Sequence, residues 1–591
     1  MSGLESPRFW QPEFDYERRA DGTVLMWQKE DLPDHLPLVA GYLDKWAKEA
    51  PDRTWLARRG EDGNWRRISY SEAREIARKL GSALLGLGLG PKKPLLILSE
   101  NSLEHALLGA ACSYVGIPFA PVSPAYSLVS DDLGKIRDIV ATLDPGALFA
   151  DDGVQFSRAL EMLRDGRVII NQRNLVNDAL SFDDLLDGDP TGADEARKAI
   201  TPDTIVKYLF TSGSTGSPKA VINTNRMITA MAAMTRDCYR YLEHEPPVVV
   251  DWAPWNHTAA GNKTFYLVLT NGGTYYIDNG RPVRGKFGET LRNLREISCT
   301  WYFNVPVGYD MLVEALEEDE ALAKTFFAKL GMLFYAGAGM AQHTWDALMA
   351  LGKKYTGREF LLATGLGATE TAPFALAWTE PEKKAGNVGV PSRGLILKLV
   401  PNGGKLEARL KGPTITPGYL NEPEKTREAF DEEGFYCLGD ALRPADPDDL
   451  SRGFFFDGRV AENFKLNTGT WVSVGAVRAG LVDAMGGLIR DAVIVGENER
   501  ELGALVLLSD SAGKLSPHDL EVKLTEKLAL SSAAATGSAS RVNRIVVLDE
   551  PPSFDRGEVT EKGSLNQRAL RAHNEALISR LYAGGEGVIT V

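Results

Sequence analysis

Cysteine, histidine and long apolar segments are all scarce in this chain. Its 591 residues include four cysteines without a Cys-x-x-Cys pair and seven histidines without a His-Glu-x-x-His spacing. A disulfide scaffold and a zinc enzyme are therefore not expected, and the cysteines indicate reduced thiols of a cytoplasmic protein. The first residues also lack the apolar core of a secretion signal, which fits the same expectation.

Positive charge is also in deficit, and the longest charge-free stretch is interrupted by prolines. The longest stretch without Asp, Glu, Lys, Arg or His runs from Ala106 to Ser130. It is long enough to cross a bilayer, but it contains Pro118, Pro121 and Pro124, which are too closely spaced for a membrane helix. The net charge of −14 argues against nucleic acid and against anionic membrane surfaces. Neither is expected as a partner.

What remains is the composition of a folded protein, with 44% hydrophobic and 25% charged residues. A chain of this length exceeds what one hydrophobic core usually supports. Between about residues 70 and 440, helical patterns such as Ser71–Gly86 and Asn101–Val115 alternate with short apolar runs such as Pro94–Ser99. This alternation predicts an α/β fold in which helices flank the sheets of a large N-terminal domain.

The last 130 or so residues form a separate pattern. They have their own strand candidates, Asp491–Gly496 and Arg544–Leu548, and a helix candidate between Asp519 and Leu530. This length is sufficient for a small α+β domain. The polar segment Ser531–Ser540 is predicted to be a flexible loop.

Residues 208–221 carry the strongest local signal for function. An apolar, strand-like run ends there in a loop of hydroxyls, glycines and one lysine: Thr211, Ser212, Gly213, Ser214, Thr215, Gly216 and Lys219. Glycines let the backbone approach an anion, and hydroxyl and amide groups then donate to its oxygens. The spacing matches neither the Walker A motif nor the Gly-x-Ser-x-Gly elbow. Two interpretations stay open on this basis, a phosphate-binding loop and a simple turn between strands.

Four further segments place small residues next to groups that suit a nucleotide. One strand candidate ends in Gly337, Ala338 and Gly339, where a flat ring could lie against backbone. A glycine turn at Gly367 precedes Thr369 and Glu370, a hydroxyl and a carboxylate that suit phosphate and Mg²⁺. Asp440 follows another strand candidate and could accept from ribose hydroxyls. Arg459 lies near the expected domain boundary. Each segment alone would ordinarily be interpreted as a helix cap, a turn or a solvated loop.

Taken together and in this order, these segments resemble the motifs of the adenylate-forming superfamily, which includes acyl- and aryl-CoA synthetases, adenylation domains and luciferases. The similarity extends from about residue 40 to 575. Three stretches look like the feruloyl-CoA synthetase branch: Gly365–Pro373, Lys465–Gly475 and Gly557–Ala569. The chain has Leu366 where many members have an aromatic residue, and the feruloyl-CoA synthetase branch looks similar to this chain at that position.

The resemblance implies a two-step ligase with two domains, residues 1–461 and a mobile lid, 462–591. In the first step a carboxylate would attack the α-phosphate of ATP. Residues Thr211–Lys219 and Gly337–Gly339 would bind the nucleotide, Thr369 an α-phosphate oxygen, Glu370 the Mg²⁺, and Asp440 with Arg459 the ribose. Lys562 would be the lysine that the small domain supplies to the reacting groups, and His257 would lie near the acyl carboxylate.

In the second step the lid would rotate about a hinge at Glu462, and the thiol of CoA would take the acyl group. The resemblance favours a hydroxycinnamate such as ferulate as the acid. Another aromatic or a medium-chain fatty acid is an alternative, and a non-catalytic nucleotide-binding protein is an alternative from a different class. The expected partners are a small carboxylic acid, ATP and CoA, and a homodimer is an open option for the assembly.

Overall fold

The computed structural model describes residues 8–212, 218–509, 512–559 and 565–591, with only the backbone described at Ser212 and Ala461. Within these ranges, no helix combines the length and the apolar character that crossing a bilayer requires. All four cysteines lie in the described ranges and none of them forms a disulfide.

Polar caps begin several of the helices. Ser69 and Glu72 form a capping box at the start of Tyr70–Gly86, and Ser102 accepts from the His105 backbone at the start of Leu103–Val115. The α-helices are Val39–Glu49, Tyr70–Gly86, Leu103–Val115, Ala125–Leu128, Gly134–Leu143, Ser157–Leu163, Thr191–Arg197, Asn225–Cys238, Phe265–Thr270, Phe287–Glu296, Pro306–Glu318, Glu320–Phe327, Gln342–Thr356, Pro423–Glu428, Val474–Ala484, Pro517–Ala534, Gln567–His573 and Glu575–Ala583. Short 3₁₀ turns cover Asp183–Asp187, Arg240–Glu243, Thr369–Thr371, Leu450–Arg452, Val460–Glu462 and Ala512–Lys514, and a π-helix covers Ala259–Thr264.

Four sheets make up the N-terminal part of the described chain. In order of neighbouring strands, the largest sheet is Phe14–Arg18, Val24–Gln28, Ile396–Asn402, Lys405–Lys411, Tyr436–Pro444, Phe454–Arg459, Asn387–Pro391, Leu376–Ala377 and Gly365–Leu366. In the same order, a seven-stranded sheet is Pro218–Thr224, Ile205–Ser212, Phe119–Pro121, Leu95–Ile97, Ala147–Asp152, Val168–Arg173 and Leu180–Ser181. A four-stranded sheet is Val248–Asp251, Thr274–Ile277, Thr54–Arg59 and Trp65–Ser69, and a three-stranded sheet is Trp301–Asn304, Met332–Tyr335 and Leu361–Ala363.

The seven-stranded sheet brings the ends of distant segments to one edge. Leu95–Ile97 pairs in parallel with Phe119–Pro121, and Ile205–Ser212 pairs in parallel with Phe119–Pro121 through Lys207. Because the strands are parallel, their carboxyl ends meet at the same edge, where α/β proteins place their ligands. The strands Phe119–Pro121 and Ile205–Ser212 therefore end at the same edge of the sheet.

The C-terminal residues form a small unit with its own core. Its sheet is Ile489–Val495, Leu502–Leu508, Val542–Val547 and Val588–Thr590, and a two-stranded ribbon, Phe464–Lys465 and Trp471–Val472, precedes it. Two buried hydrophobic clusters lie within Phe464–Leu581, whereas the other clusters lie within Trp10–Phe454. The predicted fold class, a large N-terminal α/β domain and a small α+β domain, is confirmed. The boundary between residues 461 and 462 stays a prediction.

One local expectation was wrong. The segment Ser531–Ser540 was expected to be a loop throughout, but the helix Pro517–Ala534 continues through its first residues. Ser and Ala are compatible with a helix end, and Leu524 and Leu528 of the same helix are buried in the small domain. Packing of that apolar face therefore extends the helix further than the local composition suggests.

Candidate active site

The hydroxyl- and glycine-rich segment connects two paired strands. Ile205–Ser212 and Pro218–Thr224 are antiparallel, and Thr211 lies opposite Lys219. Thr211, Ser212 and Lys219 therefore belong to the strands, not to the loop in which the sequence placed them. The predicted ligands Gly213, Ser214, Thr215 and Gly216 lie outside the described residues. The antiparallel pairing of the two strands is compatible with both a phosphate-binding loop and a simple turn.

Lys219 lies on an aromatic ring at the edge of this hairpin. Its Nζ is 4.1 Å from the centroid of the Tyr419 ring. The residues around Tyr419 extend the sheet, because the Ile222 amide donates to the Gly418 carbonyl at 3.1 Å and the Leu420 amide donates to the Ala220 carbonyl at 3.0 Å. Burial lowers the pKa of Lys219, and the charge of Glu370 opposes that shift. Lys219 and Glu370 are therefore close enough to interact electrostatically.

Tyr419 joins Lys219 to the acidic residue of the glycine turn. Its hydroxyl donates to Glu370 Oε1 at 3.0 Å, and the Thr416 amide donates to the Glu370 carbonyl at 2.8 Å. Glu370 is buried, on the 3₁₀ turn Thr369–Thr371. A buried carboxylate is costly unless a charge or hydrogen bonds compensate it, so this arrangement suits a cation bound from outside.

The glycine before this turn is required by a close backbone approach. A Cβ at Gly367 would lie 1.5 Å from the Pro373 carbonyl oxygen, which no side chain permits. The Ala368 amide donates to Thr371 Oγ1 at 2.9 Å and closes the turn. Thr369, beside Glu370, is half-buried. The turn thus presents the Thr369 hydroxyl and the Glu370 carboxylate from adjacent positions.

Asp440 and Arg459 are opposite one another on neighbouring strands. Arg459 Nε lies 3.1 Å from Asp440 Oδ1, but outside hydrogen-bond geometry, so this oxygen has no hydrogen-bond donor among the described residues. Burial raises the pKa of Asp440 to about 6, Arg459 opposes the shift, and the charges of Glu462 and Glu370 add to it. A buried carboxylate oxygen normally has a hydrogen-bond donor, and here, beside its ion pair with Arg459, the donor would come from a ligand.

A hydrogen bond links the strand that leads to Gly337–Gly339 to the segment just before the glycine turn at Gly367. Gly337, Ala338 and Gly339 are exposed after the strand Met332–Tyr335. Thr364 Oγ1, just before the glycine turn, donates to the Tyr335 carbonyl at 2.9 Å. Gly337 has φ of +94°, a conformation that favours glycine.

His257 is held at the start of a π-helix. The Ala259 amide donates to His257 Nδ1 at 3.2 Å, and the Gly261 amide donates to the His257 carbonyl at 2.8 Å. In the neutral ring this leaves the proton on Nε2. Asn262 Nδ2 donates to Asn223 Oδ1 at 2.8 Å, which ties the helix to the hairpin strand that carries Lys219.

The structure therefore links Lys219, Glu370, Asp440 and Arg459 by contacts or charges, with Thr369 adjacent to Glu370. It attaches His257 through the hairpin, whereas Lys562 lies outside the described residues. A metal site built from three or more His, Cys, Asp or Glu side chains is not found in the described part of the chain. This is compatible with Mg²⁺, which usually takes one or two carboxylates and completes its shell with phosphate and water.

Sequence reasoning missed Tyr419, which orients Glu370, and the buried Lys263 on the π-helix. Tyr419 follows a Pro-Gly pair, which by composition indicates only a turn. Lys263 left a clearer signal, because it is the only Asp, Glu, Lys or Arg between Asp251 and Asp278. A single charge in such a stretch is a reason to ask what it faces.

Two family models match this chain. The model described as AMP-binding enzyme matches residues 43–420, and the model described as AMP-binding enzyme C-terminal domain matches residues 479–586.

Individual proteins are similar over most of the chain at low identity. A 4-coumarate–CoA ligase of Oryza sativa subsp. japonica is 26% identical over 524 residues, which cover 84% of this chain and 86% of that protein. The ATP-bound crystal structure of MatB from Rhodopseudomonas palustris has a TM-score of 0.66 at 18% identity and covers 91% of this chain and 99% of its own. The crystal structure of the anthranilate CoA ligase AuaEII with anthranoyl-AMP has a TM-score of 0.69 at 18% identity and covers 93% of this chain and 99% of its own. These two structures support the fold.

Proposed function

Because the chain belongs to the AMP-binding enzyme family, we propose that it is an AMP-forming acid–CoA ligase that acts on an aryl carboxylate. The observation that carries the proposal is the cluster in which Tyr419 joins Lys219 to the buried Glu370, whose charge in turn acts on Asp440, where a buried carboxylate oxygen has no hydrogen-bond donor among the described residues. The cluster combines a cation for phosphate, a carboxylate for a metal ion and an acceptor for ribose hydroxyls. A site that binds a nucleoside triphosphate requires these three groups.

In the first step, a carboxylate oxygen of the acid forms a bond to the α-phosphorus of ATP, and the bond to pyrophosphate breaks. Negative charge on the phosphoryl oxygens has to be met by fixed donors and cations. Lys219 and the Thr369 hydroxyl supply two of these from positions fixed before ATP binds. Asp440, with Arg459 beside it, accepts hydrogen bonds from the ribose hydroxyls and so positions the nucleotide.

Glu370 would hold the Mg²⁺ that accompanies ATP, with Tyr419 fixing the orientation of its carboxylate. When bound, that ion would neutralise phosphate charge. The donor set fits, because carboxylate oxygens are hard ligands of the kind that Mg²⁺ prefers and this one accepts from a neutral donor, the Tyr419 hydroxyl.

His257 would act on the acid. The Ala259 amide donates to Nδ1, which in the neutral ring places the proton on Nε2, and this N–H would donate to the carboxylate and orient its attacking oxygen. In the second step, the sulfur of CoA bonds to the acyl carbonyl carbon and the bond to AMP breaks. The thiol proton leaves to solvent.

The assay that tests this function measures pyrophosphate and CoA thioester with ATP, Mg²⁺ and a panel of acids: ferulate, coumarate, benzoate and medium-chain fatty acids. We expect pyrophosphate to depend on the acid and the thioester to form with a hydroxycinnamate, for which ferulate is our first choice. Release of pyrophosphate without thioester would contradict the CoA step. A protein that binds ATP but releases no pyrophosphate with any acid would be a nucleotide sensor instead.

Nucleotide binding is expected to weaken in acid because of Asp440. Its raised pKa of about 6 means that it is ionised at neutral pH and largely protonated near pH 5. If the ionised form binds ribose, the Kd of AMP rises about tenfold as the pH falls from about 7 to about 5. In Asp440→Asn this part of the pH dependence should vanish, because the amide does not titrate.

Calorimetric titration of AMP across this range, for wild type and Asp440→Asn, measures the effect. The phosphate of AMP titrates equally in both titrations, so the difference between the two curves isolates Asp440. Parallel curves for the two proteins would show that Asp440 does not contact the ribose in its ionised form.

A further inference from the structure

Lys207 is a buried lysine that the proposed reaction steps do not use. It is 2% exposed, on the strand Ile205–Ser212. Its Nζ donates to the Gly261 carbonyl at 2.5 Å and lies 4.8 Å from the centroid of the Tyr266 ring and 5.5 Å from that of Phe119. Burial lowers the pKa of Lys207 to about 7, but the amine has N–H groups to donate in either protonation state. A lysine is almost never fully buried without a partner, and Gly261 is the one hydrogen-bond acceptor of Nζ in the described structure.

Asn223 holds the same π-helix from the neighbouring strand. Lys207 and Asn223 are opposite one another in the antiparallel hairpin. Asn223 is fully buried, and its Oδ1 accepts from Asn262 Nδ2 at 2.8 Å. The two side chains therefore hold consecutive residues of the π-helix Ala259–Thr264, Gly261 and Asn262. Helices of this kind are rare and occur frequently at functional sites.

Gly261 is in turn fixed against the segment that carries His257. Its amide donates to the His257 carbonyl at 2.8 Å. A Cβ at Gly261 would lie 2.0 Å from the carbonyl oxygen of Trp255, so only a glycine permits this close approach. Because Lys207 holds the carbonyl of the same glycine, a displacement of Gly261 would also displace His257.

The first reaction step needs the two reacting groups at a fixed distance. In the proposed function, the hairpin supplies Lys219 to the phosphates, and His257 orients the carboxylate that attacks the α-phosphorus. Reacting atoms have to lie about 3–3.5 Å apart, and a misplacement of about 1 Å lowers the rate about 10²-fold. The buried contacts of Lys207 and Asn223 connect the phosphate side of this geometry to the carboxylate side.

We propose that Lys207 and Asn223 are positioning residues, which hold His257 at the distance from the phosphate hairpin that formation of the acyl-AMP requires. This inference rests on the proposed function and adds to it two residues that act through His257. It also explains why a lysine is buried at position 207. A methionine of similar length would avoid the cost of desolvating an amine, but it could not donate to the Gly261 carbonyl.

The test measures acid-dependent pyrophosphate release by Lys207→Met with the acid of the panel that wild type uses best. We expect kcat/KM for the acid to fall by about 10–100-fold, because the reacting groups are then misplaced. The Kd of AMP, measured by calorimetry, should stay close to the wild-type value, because the residues assigned to the nucleotide are unchanged. Circular dichroism and melting curves show whether the variant is folded.

A double-mutant cycle with His257→Ala separates positioning from general disruption. If Lys207 acts through His257, adding Lys207→Met to His257→Ala should lower kcat/KM by a further factor of only about three or less, because residues that act together are not additive. A merely structural role for Lys207 predicts the same loss in both backgrounds, since the effects of independent sites add. The cycle needs kcat/KM for wild type, the two single variants and the double variant.

Asn223→Ala tests the same connection from the other strand. It should show the same pattern as Lys207→Met, so the inference does not depend on the folding of one variant. Asn271→Ala is the matched control. Asn271 is buried, and its Nδ2 donates to the Leu267 carbonyl at 2.9 Å, within the helix that continues from the π-helix. Asn271→Ala is expected to lower stability but to keep kcat/KM for the acid.

Other results would overturn the inference. These are an unchanged kcat/KM in Lys207→Met, an equal loss in the His257→Ala background, a parallel loss of AMP binding, or the same loss of activity in Asn271→Ala. Each would show that Lys207 does not position His257, and each would leave the ligase function intact. If wild type released no pyrophosphate with any acid, the proposed function would fail, and the inference would fail with it.

Discussion

Lys562→Ala is expected to lower acyl-AMP formation by about 10²–10³-fold and to leave thioester formation from supplied acyl-AMP largely intact. The resemblance to the family predicts that this lysine supplies positive charge to the reacting carboxylate and α-phosphate. Removing one preorganised donor to a developing negative charge has an effect of that size in other enzymes. The thioester step expels AMP from a carbonyl carbon and does not need the same cation.

The described residues just before Lys562 in the small domain contact the N-terminal domain, and the place of these contacts supports the predicted role of Lys562. The Asp131 amide donates to Asp555 Oδ2 at 3.0 Å, and the rings of Tyr126 and Phe554 lie 5.7 Å apart. Tyr126 and Asp131 follow the strand Phe119–Pro121, which runs parallel to Ile205–Ser212. The small domain thus contacts the N-terminal domain at the sheet edge where the strand Ile205–Ser212 also ends.

The two half-reactions are measured separately, by acid-dependent pyrophosphate release and by thioester formation from synthetic acyl-AMP and CoA. Lys514→Ala is the control, because Lys514 is an exposed lysine of the same domain. It should leave both rates unchanged. Equal loss of both half-reactions in Lys562→Ala would contradict a role confined to adenylation.

Much of the fold could be predicted from local patterns. The helix expected at Ser71–Gly86 is observed at Tyr70–Gly86, and the strand expected at Arg544–Leu548 is observed at Val542–Val547. Both have a strong apolar periodicity or β-branched run, which packing reinforces. The end of the helix Pro517–Ala534 could not be predicted, because the Ser and Ala residues at its end are compatible with both a helix and a loop.

The candidate site was predictable only in part, for a related reason. Glu370 and Asp440 are next to glycines in short motifs, so their chemistry is visible locally. The surroundings of Tyr419 and Lys263 consist of residues that are distant in sequence. Tyr419 contacts Glu370, and Lys263 contacts Phe334 and Phe374. Such contacts depend on tertiary packing, which local composition does not encode.

Glu370→Gln is expected to lower the rate of acid-dependent pyrophosphate release by about 10³-fold at millimolar Mg²⁺, since charge neutralisation by a metal ion contributes several kcal/mol. Glutamine keeps the size of the side chain and can still accept from the Tyr419 hydroxyl. It lacks the negative charge that attracts the cation. The loss should therefore appear as weaker binding of Mg²⁺ in the ATP complex and not as unfolding.

Tyr419→Phe separates the charge of Glu370 from its orientation. This variant keeps the ring under Lys219 and removes only the hydroxyl that donates to Glu370 Oε1. Loss of a partner that orients a metal ligand typically weakens the metal by about 10–100-fold, so Tyr419→Phe should fall between wild type and Glu370→Gln. Two measurements rank the metal affinities of wild type, Tyr419→Phe and Glu370→Gln. The first is pyrophosphate release as a function of Mg²⁺ concentration, and the second is binding of Mn²⁺ to the ATP complex, followed by electron paramagnetic resonance. If Glu370→Gln bound Mn²⁺ as wild type does, the carboxylate would act through Tyr419 and Lys219 instead of through the metal ion, and Tyr419→Phe would then be as impaired as Glu370→Gln.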